Sequence, residues 1–250
     1  MTHASDVNAA NGAIHRIPAL DIARSVALLA MVVFHLTYDL ALFRLIDPDT
    51  AFTPFWALFA RMTAGSFLFL AGVSLWLAHG RGIRWPSFLR RLAILAAAAI
   101  AVSLGTRFGM GEAWVRFGIL HSIAACSVLG LLFLRLPAAV TAAAAIAAFF
   151  APGWIAPGTF SHPAWVWLVQ AEGRPGMVDY VPLLPWAAPF LAGMVLGRIG
   201  TASGLWRSLA RAETPLTRRL SWPGRHSLAI YLVHQPVLIG LVWAWARFVA

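Results

Sequence analysis

Seven stretches of this chain are long and apolar enough, or nearly so, to cross a lipid bilayer: residues 18–45, 55–78, 88–104, 114–134, 138–150, 183–199 and 227–249. A hydrocarbon layer about 30 Å thick takes about 20 apolar residues of helix. Inside that layer each backbone N–H and C=O needs a partner within the protein, which leaves helices and closed barrels as spanning structures. With 60% hydrophobic and 11% charged residues and a mean hydropathy of +0.77, the soluble class is excluded. The expected fold is all-α: a polytopic membrane protein of about seven transmembrane helices, built as one domain over 18–250 after a polar tail over 1–17.

The charge pattern sets the expected orientation. All 19 basic residues are arginine and the formal net charge is +10, a balance that in a soluble chain would suggest nucleic acid. Here the arginines sit mostly in short loops between apolar runs, where they report topology, and no nucleic-acid partner is expected. The loop with Arg81, Arg84, Arg90 and Arg91, the turn at Arg135 and the connection 198–225 are the basic ones and read as cytoplasmic. The opposite loops carry Asp47 and Asp49, then Arg107 with Glu112, then Glu172, Arg174 and Asp179. The amino terminus is expected inside and the carboxyl terminus outside. Residues 1–17 make a poor signal peptide, so the first helix is expected to stay uncleaved. The single cysteine, Cys126, allows neither a disulfide framework nor a thiolate metal cluster within the chain, and no metal is expected.

The first segment is the anomalous one, because it carries Asp21, Arg24, His35 and Asp39. Ionisable residues within a spanning helix are costly and face a protein interior or a wet cavity. At about 100° per residue the four fall within an arc of roughly 60° together with Leu28. They form one stripe, running ~27 Å from Asp21 to Asp39 at 1.5 Å per residue. The alternative is that the end residues snorkel to the two interfaces.

Further candidates lie along the chain. Arg61 suits an anionic substrate or a pairing with Asp39, and Ala64, Gly65, Ala71, Gly72 and Ser74 after it allow close helix packing. His121 enters the fourth segment roughly 10 Å from its outer end, at a depth where it can meet His35. The connection 151–182 holds Trp154, Trp165 and Trp167, which anchor at headgroups or stack on sugars. Asp179 and Tyr180 stand at its mouth, before Pro182, Pro185 and Pro189, which disfavour an ordinary straight helix. In the last segment Arg225 and His226 sit at the inner interface, Tyr231 and His234 enter the membrane with Gln235, and Pro236 follows.

No phosphate-binding glycine loop, HExxH pair, GxSxG elbow or cysteine cluster is present. The remaining chemistry is His, Asp, Arg and Tyr in a bundle. Asp39 lies four residues after His35, where a carboxylate reaches an imidazole N–H one turn back and leaves the other nitrogen as a base. Such a base suits an amine or hydroxyl attacking a thioester, with His121 or Arg61 near the developing oxyanion. The same stripe also suits a transporter or flippase-like carrier. A haem held by His35 with His121 or His234 is a third arrangement.

The strings ALDIARSVALLAMVVFHLTYDL, FLFLAGVSLWLA, FGILHSIA, DYVPLLPWAAPFLAGMVLGR and GRHSLAIYLVHQPVL together resemble small bacterial membrane proteins related to heparan-alpha-glucosaminide N-acetyltransferase. The resemblance spans nearly all seven segments. It implies a transmembrane acyltransferase of the bacterial inner membrane, taking an acetyl group from cytoplasmic acetyl-CoA to an amino-sugar or other glycan acceptor outside. The family's LDxxRG opening matches Leu20, Asp21 and Arg24, with Ser25 where glycine is usual. The animal enzyme has asparagine at the position of His35, and its proposed catalytic histidine falls where this chain has Ile46. On this reading Arg24, Arg225 and His226 meet the donor's phosphates. His35, Asp39 and His121 form the catalytic set, and Arg61, Asp179, Tyr180, Tyr231 and His234 contact substrate.

Overall fold

The structure, a computed structural model, describes residues 17–156, 158–160, 162–169, 176–210 and 214–248. The tail before Ile17, together with Glu172 and Arg174 of the connection 151–182, lies outside the described residues. Those residues form nine α-helices: α1 (Pro18–Leu42), α2 (Pro54–His79), α3 (Trp85–Met110), α4 (Ile119–Phe133), α5 (Ala138–Trp154), α6 (Leu183–Ala202), α7 (Leu205–Leu209), α8 (Pro215–Arg225) and α9 (Ser227–Phe248). The all-helical expectation holds, and α1, α2, α3, α6 and α9 are each long and apolar enough to cross a membrane. The protein is a membrane protein.

The other two expected spans are shorter: α4 has 15 residues and α5 has 17, ~22 and ~25 Å at 1.5 Å per residue. The α4 helix begins five residues later than its apolar run because residues 114–117 are spent on other bonds. Ser103 donates to the Val115 carbonyl at 2.7 Å and Thr106 accepts from the Val115 N–H at 3.0 Å. The N–H groups of Val178 and Val181 then bond Ala113 and Phe117. Irregular backbone at this level is tolerated because protein surrounds and pairs it. In the opposite direction, α3 runs six residues beyond its expected end at Leu104.

The centre of the bundle is α6 against α2, with α5 and α4 packed on it and Leu68, Leu75, Phe190 and Met194 almost fully buried. The two central helices approach backbone to backbone through one glycine each. A β-carbon on Gly72 would run into the Phe190 carbonyl, and one on Gly193 into the Phe69 carbonyl. The small-residue stretch expected to serve packing therefore does so at Gly72, whereas Gly65 faces open space. Of the three prolines around the start of α6, Pro182 precedes it, Pro185 follows the non-helical Leu184 and Pro189 lies inside.

Two helices within the basic connection 198–225, α7 and α8, were not expected. Thr214 caps α8 through its side chain, which accepts the Thr217 N–H at 3.2 Å, and Pro215 takes the first helical position. This helix packs along the start of α1. Ser25 fastens the two, its hydroxyl donating to the Leu220 carbonyl at 2.7 Å and accepting the Gly224 N–H at 2.8 Å. A β-carbon on Gly224 would strike the Asp21 carbonyl. Ser25 is thus a hydrogen-bonded joint between α1 and α8.

Candidate functional site

Close packing of α1, α2, α3, α4 and α9 leaves a cavity of about 110 Å³. One end is cationic and hydroxylated, with Arg24 from α1, Ser74 from α2, Arg91 from α3 and Ser227 from α9. The other end is apolar and closes on Phe67, Leu95, Ile119 and Tyr231. Axial spacing from Arg91 to Leu95 is ~6 Å and from Ser74 to Phe67 ~10 Å, so the cavity is a shallow shaft.

At the cationic end Asp21, buried at 5% exposure, organises two of the arginines. Its carboxylate takes Arg24 Nη1 at 2.6 Å and lies 3.6 Å from Arg225 Nε. The second Arg24 nitrogen, Nη2, donates to Ser74 Oγ at 2.6 Å. Three guanidiniums with one carboxylate leave this end net positive, a setting for phosphate or another anion. His226 bonds the Trp222 carbonyl through Nδ1 at 2.9 Å and packs against the exposed Trp222 ring. Arg91, a loop charge by the expected helix start at Phe88, stands ~9 Å into α3 because the helix begins at Trp85.

Tyr231 links the apolar end to two other groups. Its hydroxyl lies near the carboxyl of Asp179, whose Oδ2 accepts the Ile119 N–H at 2.9 Å. A β-carbon on Gly118 would collide with that carboxylate, so glycine lets the connection between α5 and α6 seat Asp179 on the start of α4. Burial pushes the Asp179 carboxyl above the usual carboxylate range, and the Ile119 N–H partly opposes it. Tyr180, expected beside it as a substrate contact, donates instead to the Val169 carbonyl at 3.0 Å.

Beyond Tyr231 the pair α1 and α9 carries a second polar cluster. The rings of His35 and His234 meet edge to face with centroids 4.8 Å apart. His35 Nδ1 bonds the Met31 carbonyl at 2.9 Å, and His234 Nδ1 bonds the Tyr231 carbonyl at 2.6 Å. A carbonyl only accepts, so in each ring Nδ1 carries the proton and Nε2 is the acceptor. Asp39 is fully buried, and its Oδ1 accepts Gln235 Nε2 at 2.8 Å. Asp39 Oδ2, Gln235 Oε1 and His234 Nε2 are enclosed acceptors with no donor among the described residues.

Three expectations are corrected here. The Asp39 carboxylate does not hold His35, because each has taken another partner. His35 meets His234, not His121. His121 is committed to the start of α4: its Nδ1 accepts the Gly118 N–H at 3.3 Å and its Nε2 faces Ser103 Oγ at 3.3 Å. Arg61 is exposed and has no ion pair with Asp39. No group of three or more metal-ligating side chains occurs among the described residues.

Over residues 16–236 the chain matches the family described as heparan-alpha-glucosaminide N-acetyltransferase, catalytic. No curated protein and no solved structure matches it.

Proposed function

Because the chain belongs to the heparan-alpha-glucosaminide N-acetyltransferase catalytic family, a family of transmembrane acetyltransferases, we propose that it transfers acetyl from cytoplasmic acetyl-CoA to an acceptor outside. The acceptor class is an amino sugar or other glycan, and the membrane is the bacterial inner membrane. The bundle has its amino terminus inside and its carboxyl terminus outside, with α4 and α5 completing seven spans.

The observation that carries this reading is the cavity with arginines at one end only. In the proposed orientation that end faces the cytoplasm, where Arg24, Arg91, Arg225 and His226 receive the donor's phosphates. Arg24 and His35 are eleven residues apart on α1, ~16.5 Å along its axis. The donor's phosphopantetheine arm, with roughly thirteen bonds from phosphorus to sulfur, spans about 16 Å extended. Phosphates at Arg24 therefore bring the thioester to the level of His35 and His234.

There His35 Nε2 is the base. It takes the proton as the acceptor's nitrogen or oxygen attacks the thioester carbonyl, and as the C–S bond breaks it returns that proton to the sulfur, so CoA leaves as the thiol. An acceptor-lined cluster of His234 Nε2, Asp39 Oδ2 and Gln235 Oε1 suits a group rich in N–H or O–H. His121, Asp179 and Tyr180 hold the outer wall in place, and Arg61 lies outside this path.

Acetyl-CoA is expected to raise the melting temperature of the detergent-solubilised protein, by the equivalent of about 2.7 kcal/mol at a hundredfold excess over Kd. No response at any donor concentration would contradict the reading and favour a carrier that uses the same polar groups.

A further inference from the structure

We propose that α8 is an interfacial helix that docks on anionic phospholipid, with Arg219 on the headgroup and Leu216 and Leu220 in the acyl boundary. The helix has two unlike sides. One is spent on α1: Ser221 is fully buried, Ser25 holds the Leu220 carbonyl and the Gly224 N–H, and Gly224 lies against the Asp21 carbonyl. The other side is open. Leu216 and Trp222 are 65% and 58% exposed, and Leu220 and Arg219 are exposed with them. At about 100° per residue Leu216, Leu220 and Pro223 fall within an arc of roughly 60°. Arg219 stands about 60° to one side of Leu216, and Trp222 about 60° beyond Arg219. An apolar stripe edged by a cation and an indole is the arrangement of a helix lying at the headgroup level.

Two further observations say what covers this side. The first is continuity with the apolar surface of α1, which presents Val26, Leu29, Val33 and Leu36 outward at the spacing of one helix face. A spanning helix turns such a face to acyl chains. Ser25, at the edge of that face by its spacing, is the residue that holds Leu220, so the leucine stripe of α8 meets the foot of the lipid-facing side of α1. The second is charge. From Thr214 to His226 the chain carries Arg218, Arg219 and Arg225 and no carboxylate. Asp21, the acid that α8 packs against, is buried and faces Arg24 and Arg225. Arg219 makes no ion pair among the described residues, and its stem can lie along the stripe with the guanidinium at the phosphate level. A free phosphate would meet the arginine and leave the leucines and the indole in water, whereas an anionic phospholipid satisfies both. Because α8 also brings Arg225 to Asp21, this docking surface and the cationic end of the cavity share one helix.

The test places a fluorophore on Pro215→Cys, an exposed position on the open side of α8, in the full chain, whose own Cys126 is buried. The protein is reconstituted in phosphatidylcholine nanodiscs, and nitroxide-labelled phosphatidylglycerol and nitroxide-labelled phosphatidylcholine are compared as quenchers at equal mole fraction. Phosphatidylglycerol is expected to quench with an apparent affinity about fivefold higher, the effect of one arginine at a charged lipid surface. Arg219→Gln, a change at an exposed side chain, is expected to remove most of that preference, and inorganic phosphate in excess is expected to leave it in place. Equal quenching by the two lipids, or a preference that Arg219→Gln does not reduce, would overturn the proposal. So would loss of the preference on adding inorganic phosphate, which would make this a free-phosphate site. Quenching by neither lipid would put α8 outside the membrane and overturn it as well.

Discussion

Gln235 on α9 donates to the fully buried carboxylate of Asp39 on α1 at 2.8 Å, fastening the last helix of the bundle to the first beside the paired histidines. An enclosed carboxylate with one lost donor pays its desolvation without return. Gln235→Ala is expected to lower stability by about 1–3 kcal/mol. Replacing both residues with leucine is expected to recover much of that loss, because no polar atom is then stranded. Thermal melting of Gln235→Leu, Asp39→Leu and the double checks it, and strict additivity of the leucine singles would show that the hydrogen bond contributes nothing.

The glycines of the central helix pair make a sharper contrast. Gly72→Ala and Gly193→Ala each force a β-carbon into a facing backbone carbonyl, and backbone has no rotamer through which to yield. Both are expected to destabilise by several kcal/mol, on the order of an overpacked core. Gly65→Ala, with open space around it, is expected to be neutral or to gain up to about 1 kcal/mol from helix propensity. Melting temperatures that fail to separate the three would refute the close approach of α2 and α6.

Arg91 is an exposed residue lining the cavity and makes no ion pair among the described residues. Its removal should therefore leave the melting temperature of the unliganded protein unchanged. Donor affinity is expected to fall about tenfold or more in Arg91→Ala, the loss typical of a charge-assisted hydrogen bond. Titration with acetyl-CoA at two salt concentrations reads it, and equal affinity to the wild type would remove Arg91 from the donor site.

Asp179 carries a pH dependence whose sign is fixed by burial. Its folded carboxyl binds a proton more tightly than the unfolded one, so the native state is favoured most below the unfolded carboxylate range, about pH 4. That advantage is lost as pH rises through the folded value. Asp179→Asn does not titrate. The wild type is expected to lose melting temperature relative to the variant as pH increases from 4, and a constant difference would contradict the assignment.

The polar stripe of α1 was legible because spacing alone puts Asp21, Arg24, His35 and Asp39 on one face. What the stripe would meet was not legible. Depth suggested His121 for His35, but depth does not say which helices are neighbours, and α9 brings His234 instead. A local signal was present at His121, three residues after a glycine at the head of an apolar run, where a side chain bonds the free N–H groups of a helix start. The run beginning at Trp114 could not reveal that Val115 bonds Ser103 and Thr106 and that Phe117 bonds Val181, since buried irregular backbone is as apolar as helix. Conversely, Thr214 followed by Pro215 is a helix-start signal within the sequence, and α8 was readable from it. Arg91 was hidden by position, because a basic residue six places into a helix reads as the end of a loop when the start is set too late.

The central claim is tested most directly by following labelled acetyl from acetyl-CoA to glucosamine with purified protein, wild type beside His35→Ala and His121→Ala. Acetylated product is expected from the wild type, at least about 100-fold less from His35→Ala, which loses the base, and a substantial rate from His121→Ala wherever that variant remains folded. Equal rates in wild type and His35→Ala, or no product from any of them, would contradict the account.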